Sequence, residues 1–150
     1  MKHLVAGVAF AALSTVPFVA HAQFAKMEDA VRYRHAAFTL LAAHMGRIGA
    51  VVKGAQPYDK AAVEKDAAIM EMLSKLPWSA FPPGSDTENS KAKAEVWKEQ
   101  DKFKAAAEKM QGEVVKLSTA AKSGDLTAVK TAFGAVGQSC KSCHDSFRNK

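Results

Sequence analysis

The sequence predicts an all-α protein, an antiparallel up-down-up-down four-helix bundle, and three observations carry that expectation. Beyond the N-terminal stretch, chain breakers cluster in three places: Gly54 to Pro57, the PWSAFPPGSDTEN stretch at 77–89, and Ser123-Gly124. The four segments they separate are rich in Ala, Lys, Glu, Leu and Met, which favour helix. Within those segments apolar residues recur at intervals of three and four, the seam of a left-handed bundle rather than the alternation of a strand.

The beginning of the 150-residue chain reads as a leader. Lys2 supplies a positive start, and Leu4 to Ala20 form an apolar run interrupted by Ser14, Thr15 and Pro17. Ala20-His21-Ala22 then fits the small-x-small pattern of signal peptidase, so residues 1–22 are expected to be removed by cleavage before Gln23. A membrane anchor is the competing reading, but the run is short for a span and a cleavage site follows it at once. Residues 23–150 are then one exported domain, long enough to build a core.

The formal charge of +6 loses only Lys2 with the leader, leaving a mildly basic surface. Its lysines alternate with acids, as at Lys91, Lys93, Glu95, Lys98, Glu99 and Asp101, which describes a solvated helix face and not a nucleic-acid-binding block. Neither a nucleic-acid nor a membrane partner is expected.

The first helix is expected at 26–53, with Val31, Phe38, Met45 and Val52 at intervals of seven and Leu41 and Ile48 between them. The second, 59–75, has Asp59 as its N-cap and turns Val63, Met70, Leu73 and Leu76 inward. The third, 90–121, starts at Ser90 and carries Val96, Phe103, Met110 and Leu117, interleaved with Ala107, Val114 and Ala121. The fourth, 125–148, starts at Asp125 and carries Leu126, Val129, Phe133, Val136, Cys140, Cys143 and Phe147. Mostly short connections make sequential helices antiparallel.

Both cysteines of the chain thus lie on the inner stripe of the last helix, in CKSCH at 140–144. A structural disulfide is a poor explanation, because Cys-x-x-Cys closes too small a loop to constrain the unfolded chain much. A thioredoxin-type pair needs a cysteine at a helix N-terminus, and this pair sits in the last turns. A structural zinc site needs about four ligands, and no second Cys pair or His-x-His cluster completes one. Covalent haem attachment fits: thiols one turn apart can add to the two vinyl groups, with His144 as axial imidazole.

The surrounding stripe adds detail. Gly134 and Gly137 lie inside the last helix, where they allow close approach by a flat cofactor or a neighbouring helix, or merely loosen the packing. Arg34 is the exception on the apolar stripe of helix one. It either meets a buried anion, for which a haem propionate is available, or snorkels out at the bundle end. Met45 and Met110 sit among core apolars, so packing explains them better than iron ligation.

The opening QFAKMEDAVRYRHAAFTLLAAHMGRIGAVVKG, the loop LPWSAFPPG, VVKLS and the C-terminal GQSCKSCHDSFR resemble cytochrome c′, the class II c-type cytochromes. The resemblance covers essentially all of 23–150, and a CxxCH near the end of the last bundle helix is the mark of that class. It implies one covalently attached haem c per chain, in the bundle core near one end. It assigns thioethers to Cys140 and Cys143, the axial iron position to His144, and a basic proximal neighbour to Arg148. It places Arg34 and His35 near the propionates and packs Trp78 and Phe81 around the core.

In the low-spin branch of the family, a methionine four residues after the helix-one arginine ligates the iron. Here that position is Phe38, which cannot ligate, so the chain resembles the high-spin, five-coordinate branch with Phe38 in the distal pocket. The resemblance implies a periplasmic protein that binds nitric oxide and carbon monoxide but hardly any oxygen, with electron transfer as a further role. Bound oxygen builds up negative charge and wants a hydrogen-bond donor that Phe38 lacks.

A dedicated periplasmic electron carrier is the alternative function. Phe38 favours gas binding, because a five-coordinate iron changes ligation and spin more readily than a carrier should. An enzyme is not expected, since no acid–base group stands at a convincing spacing on the distal side. The redox partner is not legible. A homodimer is expected, because Tyr33, Ala37, Leu40, His44 and Val51 form a second apolar-leaning row on helix one. The family, whose members commonly dimerise through the first two helices, points the same way.

Overall fold

The computed structural model describes residues 23–150, so the leader expected at 1–22 lies outside the described residues. Five helices follow one another: α1 Met27–Val52, α2 Lys60–Leu73, the single turn α3 Glu95–Lys98, α4 Gln100–Ser123 and α5 Leu126–Phe147. The long helices close a ring, α1 against α2, α2 against α4, α4 against α5, and α5 back against α1. A 3-10 turn at Pro77–Ala80 also packs on α1.

Local sequence sets most of the boundaries. Asp59 caps α2 by accepting from the Ala61 and Ala62 amides, and Asp125 caps α5 by accepting from Thr127. Gly124 ends α4 at φ 79°, a left-handed conformation that glycine adopts without a Cβ penalty. Inside, Leu41, Ile48, Val63, Met70, Met110, Val114, Leu117, Val129 and Val136 form one contiguous buried cluster, with Met45 packed against it. Both core-seam methionines are therefore packing residues. Full burial of such a side chain is worth roughly 1.5–3 kcal/mol.

Several expectations need correction. The third helix does not start at Ser90: residues 91–93 are extended, and Ala92 pairs in antiparallel fashion with Arg148. Ser90 caps no helix; its hydroxyl oxygen accepts from the Arg34 guanidinium at 2.7 Å and from the Ala92 amide at 3.1 Å. A further break at Glu99 (φ −119°, ψ 51°) separates α3 from α4. Leu76 lies beyond α2 and is 41% exposed, while Ala67 takes a buried place on that helix instead.

No neighbouring helix approaches Gly134 or Gly137 closely, since an added Cβ would meet no protein atom at the first and only the Met45 tip, at 3.9 Å, at the second. The glycine with the tightest surroundings is Gly49, where a Cβ would lie 3.0 Å from the Phe133 ring. The second row of α1 is also narrower than expected. Ala37 is 5% exposed, Val51 packs on the core, and His44 Nδ1 meets Asp66 Oδ1 of α2 at 2.7 Å. Only Tyr33 and Leu40 of that row are outward-facing, at 38% and 52% exposure.

Candidate haem site

A cavity of about 380 Å³ opens at the end of the bundle where α5 finishes. It is walled by Phe38 and Arg34 of α1, Trp78 and Phe81 of the loop, Phe103 of α4, and Cys143, His144 and Phe147 of α5. The rings form a connected set with edge-on contacts. Phe38 meets Trp78 at 5.7 Å between centroids, and Phe103 meets Trp78 at 5.7 Å, Phe81 at 4.9 Å and Phe147 at 5.2 Å. Each such contact adds about 0.5–1.5 kcal/mol beyond area burial. Phe103 was legible only as a seam residue; its place at the centre of this cluster depends on a loop reaching it from residues 78 and 81.

Trp78 is itself fixed, its indole N–H donating to Ser74 O at 2.6 Å. The Trp97 indole donates to both Phe81 O and Pro82 O at 3.1 Å and so ties the loop to α3.

Arg34 is the most constrained charged residue, 2% exposed. Its guanidinium donates to Ala80 O at 2.7 Å, Ser85 Oγ at 2.8 Å, Ser85 O at 2.6 Å and Ser90 Oγ at 2.7 Å. It also lies 4.4 Å from the Phe81 ring centroid. The charge therefore does not snorkel, and its protein acceptors are neutral oxygens. Burial lowers the Arg34 pKa from its usual value, and Asp86 counteracts part of that. His35 stands exposed at the cavity rim, its pKa lowered by burial, then by Arg34 and Arg148.

Both cysteines are free and half-buried. Desolvation raises both thiol pKa values; hydrogen bonds partly oppose this at Cys140, while Cys140 adds to it at Cys143. Neutral buried thiols are the opposite of the low-pKa thiolate a redox pair uses. Cys143 lines the cavity, whereas Cys140 packs against the core one turn earlier. The His144 pKa is lowered by burial and by Arg148, with Asp145 opposing, which favours the neutral imidazole that binds metals.

No group of three or more His, Cys, Asp or Glu side chains capable of holding a bare metal ion occurs among the described residues. An aromatic cavity, two neutral thiols one turn apart and one adjacent imidazole suit a flat apolar macrocycle that brings its own metal. The residues fit a haem.

Fold and site together define the class, a four-helix-bundle protein whose last helix carries a haem-attachment motif into an aromatic cavity. Comparison with known proteins then names the family. The family model described as Cytochrome C′ matches residues 29–148. The chain is 50% identical over 128 residues to cytochrome c′ of Alcaligenes xylosoxydans xylosoxydans, covering 85% of this chain and 99% of that one. It is 45% identical over 129 residues to cytochrome c′ of Rubrivivax gelatinosus, covering 85% and 100%.

Two solved structures are closely similar. One is a nitric oxide complex of a cytochrome c′ mutant from Alcaligenes xylosoxidans, at TM-score 0.82, 48% identity, and 85% and 99% coverage. The other is a carbon monoxide-bound variant from the same organism, at TM-score 0.81, 48% identity, and 85% and 100% coverage. The chain belongs to the cytochrome c′ family, itself a standard example of the four-helix bundle.

Proposed function

We propose that the chain is exported to the periplasm, trimmed before Gln23, and carries one haem c attached through Cys140 and Cys143, with His144 as axial ligand. In this reading it binds nitric oxide and carbon monoxide at a five-coordinate iron and is not an enzyme. The carrying observation is Phe38, which lines the same cavity as His144. Of the lining residues on α1, His35 alone offers an imidazole or thioether, and it is exposed at the rim.

When bound, the haem supplies an iron that holds a diatomic gas and can take up or release an electron. The chain supplies the surroundings. Phe38, held edge-on by Trp78, keeps a strong protein ligand away and offers no proton to a bound gas. That disfavours oxygen, which needs a donor, more than nitric oxide or carbon monoxide. Arg34 holds the loop that brings Phe81 to the cavity. The solved relatives carrying nitric oxide and carbon monoxide support the same ligand class here.

A role in electron transfer is the second reading, supported by the cations Lys91 and Arg148 at the cavity mouth. A homodimer through α1 and α2 is part of the proposal, with Leu40 and Tyr33 as its apolar contacts. Neither nucleic acid nor membrane is a proposed partner. Titration of the reduced holoprotein with carbon monoxide and nitric oxide tests the reading. Stoichiometric binding of both gases is expected, and failure of both to bind would overturn it.

A further inference from the structure

We infer that His35 couples proton uptake to reduction of the bound haem, taking one proton from bulk water when the iron gains an electron and returning it on reoxidation. The inference rests on the haem attachment proposed above. Its structural basis is the place of His35 on α1: the residue is exposed to solvent and also lines the aromatic cavity. It therefore joins bulk water to the cavity without a relay of further groups.

The charges around His35 set its task. Arg34 lies beside it on α1, Lys91 lines the cavity from the loop, and Cys143, His144 and Arg148 line it from α5. Among the described residues no carboxylate side chain lines this cavity. The carboxylates that enter it are the two propionates of the haem itself.

Arg34 is largely engaged already. Its Nη1 donates to Ala80 O and Ser85 Oγ and its Nη2 to Ser85 O and Ser90 Oγ, which leaves the Nε–H alone. Of the other basic groups at the rim, Lys91 and Arg148 stay charged at neutral pH, whereas an imidazole changes charge near it. The His35 ring has no protein hydrogen-bond partner among the described residues, and the Thr39 hydroxyl donates to its carbonyl instead. His44, on the same helix, differs, because Asp66 Oδ1 meets its Nδ1 at 2.7 Å.

Burial, then Arg34 and Arg148, weaken the hold of the His35 ring on a proton. An electron added to the haem removes one positive charge from the same cavity and strengthens that hold. One electron arrives from an outside one-electron donor and one proton from water, so the charge of the cavity is unchanged. Because the reduced state binds the proton more tightly, the reduction potential is highest at low pH, falls as His35 deprotonates, and then levels off. A difference of about threefold in proton affinity makes that step about 28 mV, since tenfold is about 59 mV for one electron.

Potentiometric titration of the holoprotein from about pH 4 to 9, which brackets the histidines of folded proteins, tests the coupling. A step of about 28 mV or more is expected in the wild type. His35→Gln should lose it, His44→Gln should keep it, and Arg148→Ala should move it to higher pH. NMR titration of isotope-labelled histidines should show His35 gaining its proton at higher pH in the reduced, carbon monoxide-bound form than in the oxidised form.

A wild type without the step, or a step that survives in His35→Gln, would overturn the inference; survival would assign the proton to a propionate or to His144. Carbon monoxide binding by the same sample separates this inference from the function it rests on. A holoprotein that binds the gas but lacks the His35-dependent step defeats the proton coupling alone. A chain that retains no haem defeats the proposed function as well.

Discussion

Arg34→Met removes the buried guanidinium while keeping a stem of similar length. Two of the lost partners are the carbonyls of Ala80 and Ser85, both residues fully buried. An unpaired buried acceptor costs about 1–3 kcal/mol, so these two together cost about 2–6 kcal/mol. The Ser85 and Ser90 hydroxyl oxygens lose a donor too, although Ser90 Oγ still accepts from the Ala92 amide, and loss of the cation held over Phe81 adds roughly 0.5–2 kcal/mol. Against these losses, methionine relieves the several-kcal/mol penalty of burying an ion.

Losses of about 2.5–8 kcal/mol against a relief of several leave a net loss on the order of 1–3 kcal/mol, or roughly 3–10 °C in melting temperature for a domain of this size. Thermal and urea unfolding of the holoprotein, followed by circular dichroism, measure it. Hydrogen exchange should locate the damage in residues 81–90, because Arg34 is their anchor. Arg34→Lys should fall between, since one ammonium cannot span the same fork of acceptors. A methionine variant within about 0.5 kcal/mol of wild type, the usual range for an inconsequential surface change, would refute the anchoring argument.

Attachment should require both sulfurs: Cys140→Ala with Cys143→Ala should let acidified organic solvent extract haem that the wild type retains, and retention in the variant would sink the thioether assignment. The His35 pKa, lowered by burial, Arg34 and Arg148, should rise toward 6.5 in Arg148→Ala, read by NMR titration. The folded chain holds that proton less tightly than the unfolded chain. His35 should therefore make stability fall as pH drops through about 6.5, with the loss levelling off below the depressed folded value. An unmoved titration in Arg148→Ala would contradict the coupling. Leu40→Glu should place like charges in a two-fold interface and sediment as a monomer with an unaltered haem spectrum; a wild type already monomeric at micromolar concentration would refute the dimer.

Where structure is locally encoded, the sequence was a sufficient guide. The caps Asp59 and Asp125, the glycine at 124 and the three-four apolar spacing place α1, α2, α5 and the end of α4 within a few residues. The start of the third helix was illegible because distant demands control it. Ser90 answers to Arg34, 56 positions away, and residues 91–93 answer to the end of α5. Local propensity registers neither.

The candidate site divides in the same way. Cys140, Cys143 and His144 declare themselves by spacing, and Arg34 by being charged on an apolar stripe. That its partners are a carbonyl-rich loop could not be read, since no periodicity marks a carbonyl. The outward row on α1 was over-read for a related reason. Small or polar residues such as Ala37 and His44 look alike on a helix projection whether they face water or protein, and here Ala37 is buried and His44 meets Asp66 of α2.

The central claim is that Phe38 leaves the haem iron five-coordinate, and the absorption and electron paramagnetic resonance spectra of the oxidised protein as purified test it most directly. The account predicts a high-spin signature that shifts toward low spin in Phe38→Met. A low-spin spectrum with a methionine–iron charge-transfer band in the untreated wild type would contradict it.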